Sequence, residues 1–248
     1  MAETPTPRVK GKKLFLWGKA TPLYNPHGEL VGAIESIRDI TERRENEEAL
    51  QKSYQQLERI LAGAVNALGA TAEKRDPYTA GHQRRVSQLA VSIARVMNLP
   101  DKQVEAIQTA SALHDIGKMY IPAEILSKPG QLTEVERMLI ETHPQAGYDI
   151  VKSIPFADPI ADILIQHHER LDGSGYPQGL SGSQILLEAR IIAVADVVEA
   201  MSSHRPYRPS FGLDTALQEI IRYKGRLYDP GVVEACVNIF RERGFNFS

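Results

Sequence analysis

Histidine and aspartate side chains stand inside apolar stretches of this 248-residue chain. His114-Asp115 follows Ser-Ala-Leu, His167-His168 follows Ile-Leu-Ile-Gln, and Asp196 interrupts Ile-Ile-Ala-Val-Ala. A buried imidazole or carboxylate costs several kcal/mol of folding free energy unless something pairs with it. Imidazole and carboxylate together are ligands for zinc, manganese or iron. These positions therefore indicate a metal site.

Two further histidines are candidates for the same site. Helical spacing places His82 on one face with Val86 and Leu89, so its ring points into the core, although alone it would predict only a satisfied core residue. His143 precedes Pro144, so we expect extended backbone at His143 and a helix that begins at the proline. Five of the seven histidines thus join two aspartates.

The number of candidate ligands predicts two ions rather than one. His114 and Asp115 are neighbours on a predicted helix, roughly 100° apart, so one can bind an ion terminally while the other bridges. Neighbouring helix positions cannot face the same point, so His167 and His168 suit two ions. Two ions that share Asp115 use the whole set, and such a centre suits phosphoester hydrolysis. The predicted ligands are His82, His114, Asp115, His143, His167, His168 and Asp196.

Most of the chain is predicted to be helical. From about residue 70 no alternation of period two appears, so we predict a mainly α fold with a helical bundle over residues 73–248. Thr133 with Glu136 predicts a capping box, and Asp101 and Asp229 predict helix N-caps.

The first 40 residues predict a different structure. Residues 1–10 are expected to form a disordered tail, and Lys12–Trp17 and Leu30–Arg38 two strands of a hairpin. An isolated hairpin is marginally stable, so residues 1–40 are expected to be the remnant of a larger sheet domain.

Residues 41–72 predict one long linker helix, rich in Glu, Arg, Gln, Leu and Ala. Apolar residues recur at heptad spacing, which predicts a parallel homodimer through a coiled coil. The alternative is a single helix that packs this stripe on its own domain. The two heptad positions are filled by Tyr54, Leu61 and Leu68, and by Leu50, Leu57 and Ala64.

Composition limits the remaining possibilities. The formal charge of −2 argues against general nucleic-acid binding. The single cysteine, Cys236, excludes an internal disulfide and predicts a small buried hydrophobic residue. No apolar run of about 18 residues and no signal-peptide pattern occur, so we expect a cytoplasmic protein, or the cytoplasmic part of a longer one.

Three motifs, in order along the chain, resemble the HD-GYP family, a branch of the HD phosphohydrolases that hydrolyses the bacterial second messenger cyclic di-GMP. They are His114-Asp115-Ile-Gly-Lys118, His167-His168-Glu-Arg-Leu-Asp172-Gly173-Ser-Gly175-Tyr176-Pro177, and Arg205-Pro-Tyr-Arg208. The resemblance covers roughly residues 60–245 and implies an HD-type bundle. The stretch that ends in Asp39-Ile40-Thr41-Glu42-Arg43 resembles the C-terminal end of a PAS sensory domain.

The HD-GYP resemblance assigns roles to individual residues. It implies the same seven metal ligands, with Asp115 as the bridge, and Lys118 at the scissile phosphate or leaving oxygen. It implies iron or manganese, and two ions, because Tyr78 stands where some members have a glutamate for a third. The implied substrate-binding residues are Lys118, Gly175, Tyr176 and Pro177 in the loop, and Arg205 and Arg208 as a grip on phosphate or guanine.

The expected reaction is attack of a metal-bridging hydroxide on cyclic di-GMP, giving linear pGpG and, if that product rebinds, GMP. Three other functions are weighed against it. The protein could be an HD hydrolase of another nucleotide, or a cyclic di-GMP receptor with little turnover that signals to partner proteins. A purely structural bundle would leave Asp196 and the histidine pair uncompensated.

Overall fold

The computed structural model describes residues 2–5, 14–74, 81–203 and 210–247. It divides the chain into two compact units, 1–61 and 62–248. The fold is mainly helical with N-terminal strands and one long helix, as predicted. The predicted domain boundaries at residues 40 and 72 stay a prediction.

The first unit contains a three-stranded antiparallel sheet in the order β1-β2-β3. Its strands are β1 (Ala2–Pro5), β2 (Phe15–Tyr24) and β3 (Leu30–Asp39). The prediction of a disordered tail was wrong for residues 2–5, because they pair with β2. The first hairpin strand, predicted for Lys12–Trp17, begins at Phe15 and extends to Tyr24, because its pairing with β3 continues to Leu30. Lys12 lies outside the described residues.

A long helix, α1 (Thr41–Glu73), follows β3. Its start is fixed by Asp39, whose carboxylate accepts a hydrogen bond from the backbone N–H of Thr41 at 2.8 Å. The heptad residues of α1 are exposed, among them Leu50, Leu57 and Leu61. The coiled-coil dimer and its alternative both stay predictions.

The second unit is a bundle of helices with two short 3₁₀ helices, Ile116–Tyr120 and Gly182–Gln184. Its α-helices are α2 (His82–Val96), α3 (Asp101–Leu113), α4 (Ala123–Leu126), α5 (Glu134–Ile140), α6 (His143–Val151), α7 (Ile160–Gln166), α8 (Leu187–Ser202), α9 (Leu213–Arg222) and α10 (Pro230–Glu242).

Helix α8 lies at the centre of the bundle because it is apolar on most of its circumference, as a buried helix must be. It contacts α2, α3, α7, α9 and α10. Ile191 and Ile192 of α8 are fully buried, as are Leu89 of α2 and Leu164 of α7. Cys236 is buried in α10, as predicted. Within the described parts of the chain, no helix is long and apolar enough to span a membrane.

Local capping chemistry explains where several helices begin. The predicted capping box of Thr133 and Glu136 is confirmed, and Asp229 accepts hydrogen bonds from the backbone N–H groups of Gly231 and Val232. The prediction that Asp101 is an N-cap was wrong. Pro100 occupies that position with an extended ψ of 146°, and Asp101 is the first helical residue. Its carboxylate there still complements the helix dipole.

Candidate metal centre

The predicted ligands lie mostly at helix ends. His114 and Asp115 were expected on a helix, but α3 ends at Leu113 and the pair forms the turn into the 3₁₀ helix Ile116–Tyr120. Because the pair lies in a turn, the angle between the two side chains is not fixed at the roughly 100° of neighbouring helix positions. His167 lies immediately after α7, where the helix end was predicted.

The expectation for His143 was wrong. Helix α6 begins at His143 itself, with Pro144 in the second position, because the backbone is already helical at Thr142. Proline is tolerated there, since an N–H in the first turn has no partner within the helix. Gly117 permits the close approach of α6: a Cβ on it would lie 1.9 Å from the carbonyl oxygen of His143.

The first group of ligands is formed by His82, His114 and Asp115, all buried, with ligand atoms within 4.8 Å of one another. His114 Nε2 lies 3.5 Å from Asp115 Oδ2, and His82 Nε2 lies 3.9 Å from the same oxygen. Asp196, in the middle of α8, adds a carboxylate whose Oδ1 is 3.2 Å from His82 Nε2. The side chain that the sequence left without a partner therefore faces a histidine of this group.

The second group is formed by His143, His167 and His168, whose ligand atoms also lie within 4.8 Å of one another. We expected His167 and His168 to face different points, and that was wrong: their ring centroids are 4.1 Å apart. The chain leaves the helix at His167, so helical spacing does not apply to the pair.

Asp115, a member of the first group, also faces the second group. Its Oδ1 is 3.4 Å from His143 Nε2, while its Oδ2 faces His82 and His114. One carboxylate thus presents one oxygen to each group. Lys118 Nζ donates to Oδ2 at 2.7 Å, so the lysine is at the centre and pairs with the carboxylate.

Three histidines are oriented by the backbone of their own turns. The Nδ1 atoms of His114, His143 and His167 lie 2.7, 2.8 and 2.5 Å from the carbonyl oxygens three residues earlier. Because a carbonyl can only accept, each Nδ1 carries the hydrogen and each Nε2 keeps a lone pair.

A cation fits this arrangement. His114 Nε2 is buried and has no hydrogen-bond partner among the described residues. A buried acceptor without a partner is costly, and a Lewis-acidic ion would satisfy it. The donor set of imidazole nitrogens and carboxylate oxygens is the one that divalent transition metals take. These residues therefore fit divalent metal ions.

The charge states at the centre are those of metal ligands. Burial lowers the pKa of His143 to about 4, and burial beside other histidines holds the pKa values of His167 and His168 well below their usual range. Burial alone would raise the pKa of Asp115, but the neighbouring Lys118 and His114 hold it well below its usual range. At neutral pH the second group is therefore neutral and Asp115 is anionic.

His82 is an exception. Burial opposes its protonation, but hydrogen bonds to Asp196 and Glu199 raise its pKa to about 9. Glu199 was not singled out from the sequence, although its carboxylate accepts a hydrogen bond from His82 Nδ1.

A loop after His168 closes the second group from outside. Tyr176 stacks on the His168 ring with centroids 4.8 Å apart. Gly175 passes the start of the loop so closely that a Cβ on it would lie 2.4 Å from Glu169 Cα. Glu169, which sequence reasoning missed, is buried and accepts from the backbone N–H groups of Gln178, Gly179 and Leu180. It therefore ties the two ends of the loop together.

Tyr176 and Pro177 also line an open groove of 660 Å³ beside the second group. The other wall carries Tyr120, Met138, Glu141, Thr142, Gln145, Ala146 and Asp149. Three of the predicted substrate-binding residues, Gly175, Tyr176 and Pro177, thus lie next to the centre. Arg205 and Arg208 lie outside the described residues, as does Tyr78.

Fold and site together define a helical-bundle protein whose core holds two adjacent groups of metal-ligating side chains. A family model described as HD domain matches residues 66–232. The chain therefore belongs to the HD domain family, and its resemblance to the HD-GYP branch is confirmed. The match begins at residue 66, so the PAS resemblance of residues 1–40 stays a prediction.

Individual relatives agree with this assignment. The chain is 39% identical over 205 residues to the cyclic di-GMP phosphodiesterase response regulator RpfG of Xanthomonas campestris, covering 78% of this chain and 54% of that protein. It is 37% identical over 179 residues to the 3'3'-cGAMP-specific phosphodiesterase 3 of Vibrio cholerae, covering 72% and 39%. The chain spans about half the length, or less, of these curated relatives.

A solved structure supports the fold. The cyclic GMP-AMP specific phosphodiesterase V-cGAP3 of V. cholerae matches with a TM-score of 0.55 at 19% identity, covering 72% of this chain and 49% of that one. At this identity the likeness concerns the architecture alone.

Proposed function

We propose that this protein is a metal-dependent phosphodiesterase that hydrolyses cyclic di-GMP to linear pGpG and, when that product rebinds, to GMP. The observation that carries the proposal is the position of Asp115, with one oxygen toward each of two histidine groups. The name of the relative from X. campestris supports the choice of substrate.

The cofactor in this proposal is a pair of divalent ions, iron or manganese. His82, His114 and Asp196 would hold one, His143, His167 and His168 the other, and Asp115 would bridge them. Such a pair supplies Lewis-acid activation of water and neutralises the charge of phosphoryl oxygens.

The protein's own residues bind and orient the substrate in this proposal. The Lys118 amine, now paired with Asp115, is close enough to the centre to neutralise a phosphate or the leaving oxygen. The Tyr176 ring and Pro177 form the wall of a groove that a nucleotide base fits, since every base has a face that stacks on an aromatic ring. Arg205 and Arg208 would complete the grip on phosphate or guanine, as the HD-GYP resemblance implies.

Metal analysis paired with a hydrolysis assay tests the proposal. Protein purified without oxygen should contain two equivalents of iron or manganese and convert cyclic di-GMP to pGpG. Asp115→Ala should lose metal and turnover together, whereas Asp101→Ala, an exposed carboxylate at the start of α3, should keep both. An Asp115→Ala protein with full activity would contradict the proposal.

A second substrate, 3'3'-cGAMP, is supported by the 37% identity to a 3'3'-cGAMP-specific phosphodiesterase. Initial rates on cyclic di-GMP, 3'3'-cGAMP and cyclic di-AMP with the same metal-loaded protein distinguish the two. The proposal predicts the highest kcat/KM for cyclic di-GMP. Tight binding of cyclic di-GMP without hydrolysis would favour the receptor function instead, with partner proteins as its output.

The same proposal includes a parallel homodimer through α1. Leu50, Leu57 and Leu61 are 72%, 55% and 56% exposed on this helix, and their heptad spacing matches a coiled-coil seam. A second copy of the helix would bury this stripe. Sedimentation should show a dimer that Leu57→Glu dissociates, while Glu58→Gln on the same helix leaves it intact. A monomer at micromolar concentration would contradict this part.

A further inference from the structure

Glu199 is a buried carboxylate behind a metal-ligand candidate. It lies on α8, three residues after Asp196, and only 1% of its surface is exposed. Its two oxygens accept hydrogen bonds from three donors: His82 Nδ1, Arg85 Nε at 2.6 Å and Ser203 Oγ at 2.6 Å. These three donors compensate the burial of the carboxylate, so its role concerns these partners.

His82 differs from the other histidines in how its ring is held. His114, His143 and His167 use carbonyl groups three residues earlier, which any residue type supplies. At His82 the partner of Nδ1 is instead the carboxylate of Glu199. The Nδ1 position of His82 therefore depends on a side chain.

Asp196 and Glu199, two of the acidic residues of α8, each contact a different nitrogen of this ring. Residues three apart lie on one face of a helix, so Asp196 and Glu199 both face α2. Asp196 lies at His82 Nε2, the atom shared with the first ligand group, whereas Glu199 lies at Nδ1 on the far side of the ring. Asp196 is thus placed as a ligand and Glu199 as a support.

Arg85 is a second charged partner of the supporting carboxylate. It follows His82 by nearly one turn of α2, and its guanidinium donates to the oxygen of Glu199 that His82 does not use. Both contacts join α2 to α8 at the level of the first ligand group.

We propose that Glu199 is a positioning residue that fixes the His82 ring through Nδ1, turns Nε2 toward the first ligand group, and so raises the affinity of that group for its divalent ion. The inference rests on the proposed metal centre. A carboxylate that accepts the second N–H of a ligating imidazole fixes the ring and makes it a stronger ligand.

Titration of metal-free protein with Mn²⁺, followed by electron paramagnetic resonance without substrate, tests the inference. Glu199→Gln should weaken one of the two bound ions by about 10–100-fold, and Glu199→Ala should weaken it further, because glutamine still offers an acceptor oxygen. The other ion should keep its affinity. Circular dichroism and melting of the metal-free proteins show that each variant is folded, and Glu199→Gln, being isosteric, remains informative if the alanine variant does not fold.

Two controls separate positioning from general damage. Glu188→Gln changes a glutamate of the same helix that contacts Gln103, and both ions should bind as in the wild type. Ser203→Ala removes one donor to Glu199 but leaves the contact between Glu199 and His82. The Mn²⁺ affinity of this variant should stay within about threefold of the wild-type value, a smaller loss than that expected for Glu199→Gln. If affinity loss followed melting temperature across all variants, or fell equally for both ions, the inference would be overturned.

Failure of this inference can be told from failure of the proposed function. A wild-type protein that binds no Mn²⁺ would contradict both the role of Glu199 and the proposed function. In the other case, the wild type binds two ions and hydrolyses cyclic di-GMP, and the Glu199→Gln variant binds both ions as well as the wild type does. That result would contradict only the role of Glu199.

Discussion

His143 and His167 face each other across 3.3 Å through their Nε2 atoms. Each ring has its Nδ1 at a backbone carbonyl, so both facing nitrogens carry lone pairs. Two buried lone pairs at this distance repel unless a proton or a cation is shared. Asp115 Oδ1 completes the arrangement at 3.4 Å from His143 Nε2. The two nitrogens are thus arranged as candidate ligands of one cation rather than as hydrogen-bond partners.

The metal-free protein should lose stability as the pH falls from about 6.5 to 4. The unfolded chain protonates His143 near 6.5, whereas burial lowers its folded pKa to about 4. Between these values the unfolded state binds more protons, so the free energy of unfolding falls, by about 3 kcal/mol for His143 alone. Melting temperatures in a chelator at pH 7 and pH 4.5 measure this loss.

Other groups leave the sign of that prediction unchanged. His167 and His168, whose pKa values are also lowered by burial, act in the same direction. His82 has a raised pKa, so its contribution is fully present below 6.5 and is lost only as pH rises toward 9. His143→Gln should reduce the pH dependence, and a melting temperature that is flat or rises toward pH 4.5 would contradict the assignment.

Divalent metal should stabilise the folded protein. An ion that binds only the folded state at one hundred times its Kd adds about 2.7 kcal/mol to the free energy of unfolding. Calorimetry with Mn²⁺ and with chelator should therefore give clearly separated melting temperatures. Asp115→Ala should show little separation, because both groups lose the carboxylate that they share.

Two glycines of α1 should respond in opposite ways to alanine. A Cβ on Gly69 would lie 2.5 Å from the backbone carbonyl oxygen of Ala112, two residues before His114, so Gly69→Ala should lower the melting temperature. A Cβ on Gly63 meets nothing within 4 Å, so Gly63→Ala should stabilise the helix by about 0.5–1 kcal/mol. Equal effects would show that α1 does not pack this closely on α3.

Glu169 should control substrate binding more than metal binding. Glu169→Ala removes the acceptor for three backbone N–H groups of the loop that carries Tyr176 and Pro177. We expect the KM for cyclic di-GMP to rise about tenfold or more while the metal content stays at wild-type level. Loss of metal from a folded Glu169→Ala protein would contradict this division of roles.

Residue types and their apolar surroundings were enough to predict which side chains meet in the core. Six of the predicted ligands form the two groups, and Asp196 faces His82. The helix ends at Leu113 and His143 could not be predicted, because tertiary contacts such as that of Gly117 with α6 decide them.

Glu169 and Glu199 were missed for a related reason. A glutamate in a helix or beside Arg170 is typical of a solvated surface, and only the fold shows that each is buried against several donors. The signal that could have found Glu199 is its spacing of three from Asp196 in an otherwise apolar helix.

Anomalous diffraction from crystals grown with Mn²⁺ would show whether Asp115 joins two metal ions. We expect two peaks about 3.5–4 Å apart, one beside each histidine group, with a different oxygen of Asp115 bound to each. A single peak, or ions bound away from Asp115, would contradict it.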